Sequence, residues 1–92
     1  MIYEWDEHKD RANFEKHGLR FEDAEHVFSG PCVTFEDDRF DYREERLITL
    51  GALAGRVVVI AHTPEDNGSR IVSMRKANRN EKRIYQERLG TG

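Results

Sequence analysis

The chain has 92 residues, 37% of them hydrophobic and 36% charged, which suits one modest core, expected to span residues 1–92 as a single domain, and is too little for two. A single cysteine, Cys32, excludes an internal disulfide and any multi-cysteine metal site and fits a reducing cytoplasm, while the longest apolar run, Val57-Val58-Val59-Ile60-Ala61, is strand-sized and far short of the roughly 20 residues of a membrane helix. The net charge of −3 hides a split: residues 1–45 carry 6 Lys/Arg against 14 Asp/Glu, and residues 46–92 carry 9 against 4, so the second half can attract a polyanion or simply pair with the first.

Met1 to Asp6 has neither a basic region nor an apolar stretch, so no signal peptide is expected. Ile2-Tyr3-Glu4-Trp5 alternates like a short edge strand, and Trp5 suits a core. Asp6 is a good N-cap for a helix over residues 7–17, and Gly18 suits its C-terminal stop. Ala12 with the stems of Lys9 or Lys16 gives that helix a thin apolar stripe. Phe21, Ala24, Val27 and Phe28 fall at helical spacing, and Gly30-Pro31 ends this second helix. Cys32 to Phe35 then reads as a strand, with Cys32 a small buried hydrophobe. The acidic stretch from Glu36 to Glu45, with Asp37, Asp38 and Asp41, reads as a loop or a charged strand end. Arg46 to Leu53 and Arg56 to Thr63 form a hairpin about Ala54-Gly55. Residues 64–69 read as a loop with an Asn-Gly turn, and Arg70 to Arg75 as another strand. From Ala77 the period is helical, with Ala77, Glu81, Ile84, Tyr85 and Leu89 near one face, and Gly90-Thr91-Gly92 frays. The expected class is α+β: two N-terminal helices, an antiparallel meander and a C-terminal helix, with the helices on one face of the sheet.

No phosphate-binding glycine loop or dinucleotide fingerprint is present, and no two histidines show metal-helix spacing with a carboxylate, so no metal site and no cofactor is expected. What stands out is the run of cations on and beside the predicted sheet: Arg46, Arg56, Arg70, Arg75, Lys76, Arg79, Lys82 and Arg83. Arginine forks grip phosphate through paired hydrogen bonds. Arg70 and Arg75 differ by an odd number, so a straight strand places them on opposite faces. Either a bulge intervenes or the strand ends before Arg75, and the second is expected. Glu81 and Tyr85, four apart on a helix, offer a carboxylate beside a phenol. His62, at a strand end, can titrate near neutrality.

Several segments match one family together: Glu4-Trp5-Asp6 with Lys9 and Asn13; Lys16-His17-Gly18 with Phe21-Glu22-Asp23-Ala24 and Val27-Phe28; Glu44-Glu45-Arg46 with Gly51; Val58 to Thr63; and Arg70 to Ala77 with Glu81 and Tyr85. In order and spacing they resemble the BrnT toxins of bacterial type II toxin–antitoxin systems, over about residues 2–87. Met74 stands where the family often has a smaller residue, and Arg20 where a helix-capping residue is more usual.

The resemblance implies a RelE-like fold and a cytoplasmic, metal-independent ribonuclease that stops translation and growth. It implies a BrnA-type ribbon-helix-helix antitoxin as partner, with operator DNA reached only through that antitoxin. Mapped by motif, the catalytic candidates are Arg46, His62, Arg70, Arg75, Glu81 and Tyr85, with Lys76, Arg79, Lys82 and Arg83 expected to bind RNA. His62 or Glu81 would take the ribose 2′-hydroxyl proton, and Tyr85 or His62 would protonate the leaving oxygen. Glu22, Asp23 and Glu25 would face solvent or a basic stretch of the antitoxin. Two rival readings use the same arginines without catalysis: a module that docks on a DNA-binding partner or the ribosome, and a degenerate toxin kept as co-repressor.

Overall fold

The structure, a computed structural model, describes residues 2–38 and 44–89. Asp41 and the C-terminal Gly90-Thr91-Gly92 therefore lie outside the described residues. Strands β2 (Cys32–Glu36), β3 (Leu47–Leu53), β4 (Arg56–Glu65) and β5 (Gly68–Lys76) pair antiparallel in succession. The N-terminal strand β1 (Ile2–Glu4) adds to the far edge of β5 in parallel, giving the order β1-β5-β4-β3-β2. The sheet is thus mixed rather than a pure antiparallel meander, and a strand precedes the helices. A Cβ on Gly68 would overlap the Ile2 carbonyl oxygen, so the close approach of β1 requires glycine at that position.

Between β1 and β2 come α1 (Glu7–His17), a 3-10 turn (Phe21–Asp23) and α2 (Ala24–Ser29); α3 (Arg79–Arg88) follows β5. The Asp6 carboxylate accepts from the His8 and Lys9 amides at 2.7 and 3.2 Å, and those bonds hold its pKa below the usual aspartate value. Gly18, in the left-handed region, closes α1 by donating to Phe14 O at 2.8 Å. The buried stripe of α1 is not the expected apolar one: Ala12, Lys9 and Lys16 are exposed, while Asp10 and Asn13 are buried. Asp10 accepts from Arg20 Nε and Nη2 at 3.2 and 3.1 Å and from the Phe21 amide at 2.8 Å. Asn13 donates to Leu19 O at 3.0 Å and accepts from the Met74 amide at 3.1 Å. Beyond Glu4, β5 has no β1 partner, and Asn13 takes the place of the missing strand. α1 docks by satisfying backbone groups rather than by burying carbon.

Helices cover both faces of the sheet, not one. Phe21, Ala24 and Val27 from the turn and α2 pack with Val58, Ile60, Ile71 and Met74, and Tyr3, Trp5 and Phe28 join them. On the other face Ile48, Leu50, Val59 and Ala77 pack with Ile84 and Tyr85 of α3. The run Val57-Val58-Val59-Ile60 feeds both cores, which is the physical meaning of an unbroken apolar strand. Cys32 is only half-buried. Residues 64–69 are not a loop: β4 continues to Glu65, and a two-residue turn at Asp66-Asn67 leads straight into β5. Pro64 is tolerated because β3 has already ended, its first residue Leu47 lying opposite His62.

Candidate nucleic-acid interface

β5 runs without a break through Arg75, and a register shift separates its two halves. Ala61 pairs with Ser73, but His62 pairs with Ile71, leaving Val72 as the extra residue of a bulge. The bulge corrects the odd spacing. Arg70 lies opposite Thr63 and Arg75 opposite Val59, so both arginines share the α3 face. They stand about 13 Å apart along the strand, four residues of β4 at about 3.3 Å each.

On that face α3 packs on β2, β3 and, through Ile84 and Tyr85, the cluster that includes Val59, and among the described residues no helix is packed on Thr63 and Arg70. Arg46 directly precedes β3, and its carbonyl accepts from the Asp37 amide at 2.8 Å. Its position continues the ladder opposite Thr63, and alternation with Ile48 puts it on the α3 face. Arg46, Thr63, Arg70 and Glu4 thus form one row across four strands. Thr63 is buried, and its hydroxyl has no hydrogen-bond partner among the described residues. Arg70 donates from Nε to Glu65 Oε1 at 3.0 Å. Glu65 also hydrogen-bonds Glu4 and, with its charge, pushes that carboxyl up from its ordinary value.

Arg75 meets the start of α3. Its Nη1 donates to Glu81 Oε1 at 2.8 Å and its Nη2 to Oε2 at 2.7 Å, a bidentate pair. The same carboxylate accepts from the Asn78 amide at 2.9 Å, and Asn78 Oδ1 accepts from the Glu81 amide at 2.8 Å, a capping box. Arg75 and Glu81 line a cavity of about 250 Å³ with Phe35, Glu36, Asp37, Asp38 and Ile48. Asp37 is buried here; the sequence puts it in an acidic stretch expected as a loop or a charged strand end, and its place two residues beyond Phe35 on an alternating strand is the signal that it faces the same side. Tyr85, one turn after Glu81, donates its hydroxyl to Pro31 O at 3.2 Å.

His62 does not join this group. Alternation turns it to the opposite face, against the Phe28 ring at 5.0 Å. Its Nε2 lies 2.7 Å from Thr49 Oγ1 and its Nδ1 3.3 Å from Ser69 Oγ, and Thr49 in turn bonds Thr34 at 2.8 Å. Burial lowers its pKa from 6.5 to about 4. The expected titration near neutrality gives way to a neutral, structural ring at the centre of a four-strand polar chain.

The four expected RNA-binding cations separate as well. Lys76 and Lys82 line a groove with Arg56. Arg79 is exposed on the first turn of α3. Arg83 bonds Asn80 and lies 3.8 Å from Glu87, an exposed pair of little energetic weight. On the far side, Glu22 and Glu25 rim a cavity of about 160 Å³ floored by Tyr3, Trp5 and Phe21. Among the described residues no group of three or more His, Cys, Asp or Glu is placed to hold a metal ion, and no helix is long and apolar enough to cross a membrane.

No curated protein matches the chain. Residues 5–81, which hold Arg46, His62, Arg70, Arg75 and Glu81 but stop short of Tyr85, match a family described as the ribonuclease toxin BrnT of type II toxin–antitoxin systems. That match spans most of the described structure and both sides of the Arg75–Glu81 pair: the chain belongs to the BrnT family of ribonuclease toxins.

Proposed function

We propose that this chain, acting as one domain over residues 1–92, is a metal-independent endoribonuclease toxin with a RelE-like fold that stops translation in the cytoplasm. The observation that carries the reading is that Arg46, Arg70 and Arg75 share the α3 face of the sheet, with Glu81 locked onto Arg75. RNA lies across this face. Arg75 takes the scissile phosphate, because its fork is held at both nitrogens by Glu81, with Tyr85 one turn beyond. Arg70 and Arg46, too far away to share that phosphate, hold the flanking backbone. When phosphate enters the fork, Glu81 is released and removes the 2′-hydroxyl proton. The 2′-oxygen bonds to phosphorus, the bond from phosphorus to the 5′-oxygen breaks, and Tyr85 supplies the proton that the leaving oxygen takes up. The products are a 2′,3′-cyclic phosphate and a 5′-hydroxyl. Arg75 stabilises the extra charge of the transition state. His62, on the other face, takes no part.

The attacking group belongs to RNA itself, so DNA of the same sequence should survive. Cleavage of both at similar rates would overturn the reading. The partner in this reading is a BrnA-type ribbon-helix-helix antitoxin, through which alone operator DNA is contacted. Glu22 and Glu25, exposed on α2 and the preceding turn, are placed to meet a basic stretch of it. Reversing Glu22, Asp23 and Glu25 should weaken that complex and leave cleavage unaltered.

One observation favours a second reading. The Arg75 fork is already filled by Glu81, as a purely structural latch would have it. A non-catalytic module docking on its antitoxin or on the ribosome has that appearance too, and predicts no RNA cleavage by the free protein.

A further inference from the structure

The strongest uncommitted charge lies outside the site just described. Arg56, at the end of the β3–β4 turn, meets Lys76, at the end of β5, and Lys82, on α3, around a groove of about 430 Å³. All three side chains are exposed. None takes part in an ion pair among the described residues. The contrast with the site is sharp, because Arg70 and Arg75 are each held by a carboxylate, Glu65 and Glu81. Three cations around one concavity raise the local potential, and no ion pair among the described residues cancels the field there. Val57 and Ala77 give the groove an apolar floor, against which a ribose or base can lie.

We infer that the Arg56–Lys76–Lys82 groove is a second phosphate subsite, holding the backbone of single-stranded RNA that continues past Arg75. This rests on the ribonuclease reading and deepens it. Continuity argues for RNA over an acidic peptide. Lys76 follows Arg75, one Cα step of about 3.8 Å along the chain, and Lys82 follows Glu81. Alternation along β5 turns Lys76 away from the Arg75 face, so a strand with one phosphate in the Arg75 fork reaches the groove by rounding the end of β5 where α3 begins, with Lys82 and Arg56 as its contacts there. The division of labour follows from the ion pairs. Arg75, held by Glu81, positions and activates the scissile phosphate, and the cations of the groove, which have no ion-pair partner among the described residues, supply salt-sensitive affinity. Arg79 and Arg83 are not needed for this.

The test is binding of a short fluorescein-labelled 2′-O-methyl RNA, which cannot be cleaved, measured by anisotropy across a salt series. Four proteins are compared: the wild type, Arg56→Gln/Lys82→Gln, Arg75→Gln, and Arg11→Gln/Lys16→Gln, which removes the same charge from α1. All substituted residues other than Arg75 are exposed, and circular dichroism checks that each variant is folded. The groove pair should weaken binding roughly tenfold at moderate salt and flatten the slope of log Kd against log salt by about 1.4, two single-strand phosphate contacts at about 0.7 each. The α1 pair should leave that slope unchanged. Equal loss from both double variants, or an unchanged slope in the groove variant, overturns the inference. So does a groove variant that loses affinity only for the antitoxin. RNA binding that Arg75→Gln weakens but the groove variant does not removes the inference and keeps the ribonuclease reading. No RNA binding by the wild type at low salt removes both.

Discussion

Arg75 holds both oxygens of the Glu81 carboxylate, at 2.8 and 2.7 Å, while that same carboxylate caps the first turn of α3 through the Asn78 amide. One side chain therefore starts a helix, closes an arginine fork and lines the cavity against Phe35 and Ile48. This contact couples the start of α3 to the readiness of Arg75, with Arg75 38% and Glu81 18% exposed. A phosphate that displaces Glu81 from the fork leaves the capping bond from Asn78 available to keep the helix in place.

Glu81→Gln separates these jobs. Glutamine retains the capping box but not the charge. We expect the melting temperature to fall by the equivalent of less than about 1 kcal/mol, while single-turnover cleavage drops by about 10²–10⁴, the usual weight of a general base. Glu81→Ala should lose about 1 kcal/mol more through the cap. A glutamine variant that cuts at the wild-type rate removes Glu81 from the chemistry.

Tyr85→Phe tests the acid. Its hydroxyl donates to Pro31 O, a bond whose loss costs about 1 kcal/mol. Cleavage and growth arrest should nevertheless fall by about 10²–10⁴, with antitoxin affinity unchanged. Unaltered toxicity would assign Tyr85 to tethering α3 beside β2.

The buried His62 gives the fold a pH dependence. Its folded pKa of about 4 lies below the ordinary 6.5, so the unfolded chain binds a proton that the folded chain refuses. Its contribution is complete above about pH 6.5 and is lost as pH falls toward 4, by up to about 3 kcal/mol. Denaturant midpoints between pH 7 and 5 should decline in the wild type and stay nearly level in His62→Gln. Parallel declines would show that other groups govern this range.

The β3–β4 turn carries avoidable strain. Ala54, at φ 51°, is the one non-glycine with positive φ among the described residues, and Gly55 follows at φ 79°. Asparagine tolerates this conformation, and Asn-Gly suits a two-residue hairpin of this kind. Ala54→Asn should stabilise by about 0.5–1 kcal/mol, raising the melting temperature by several degrees, with no effect on cleavage. A lower melting temperature would contradict this.

The sequence was most legible where the signals are local. Asp6 and Gly18 bound α1 where expected, and Ala54-Gly55 turns the hairpin. The failures share a cause, which is contact between distant segments. The bulge at Val72 that puts Arg70 and Arg75 on one face depends on pairing with β4, and nothing in the odd spacing favours it over an early strand end. The parallel docking of β1 needs Gly68, which local reading assigned to an Asn-Gly turn. The polar stripe of α1 makes sense only once the Met74 amide lies at an open edge. His62 was placed by strand but not by face; the unbroken Val57–Ile60 run, which must be covered on both sides, was the clue that alternate residues part company there.

The central claim is that Arg75 activates a phosphate for attack by the RNA's own 2′-hydroxyl. The most direct measurement incubates the purified protein with a defined single-stranded RNA in EDTA and analyses the fragment ends, with Arg75→Ala alongside. The account predicts 2′,3′-cyclic phosphate ends from the wild type and a rate lower by about 10²–10³ in the variant. Cleavage that EDTA abolishes, or that Arg75→Ala performs at the wild-type rate, would contradict it.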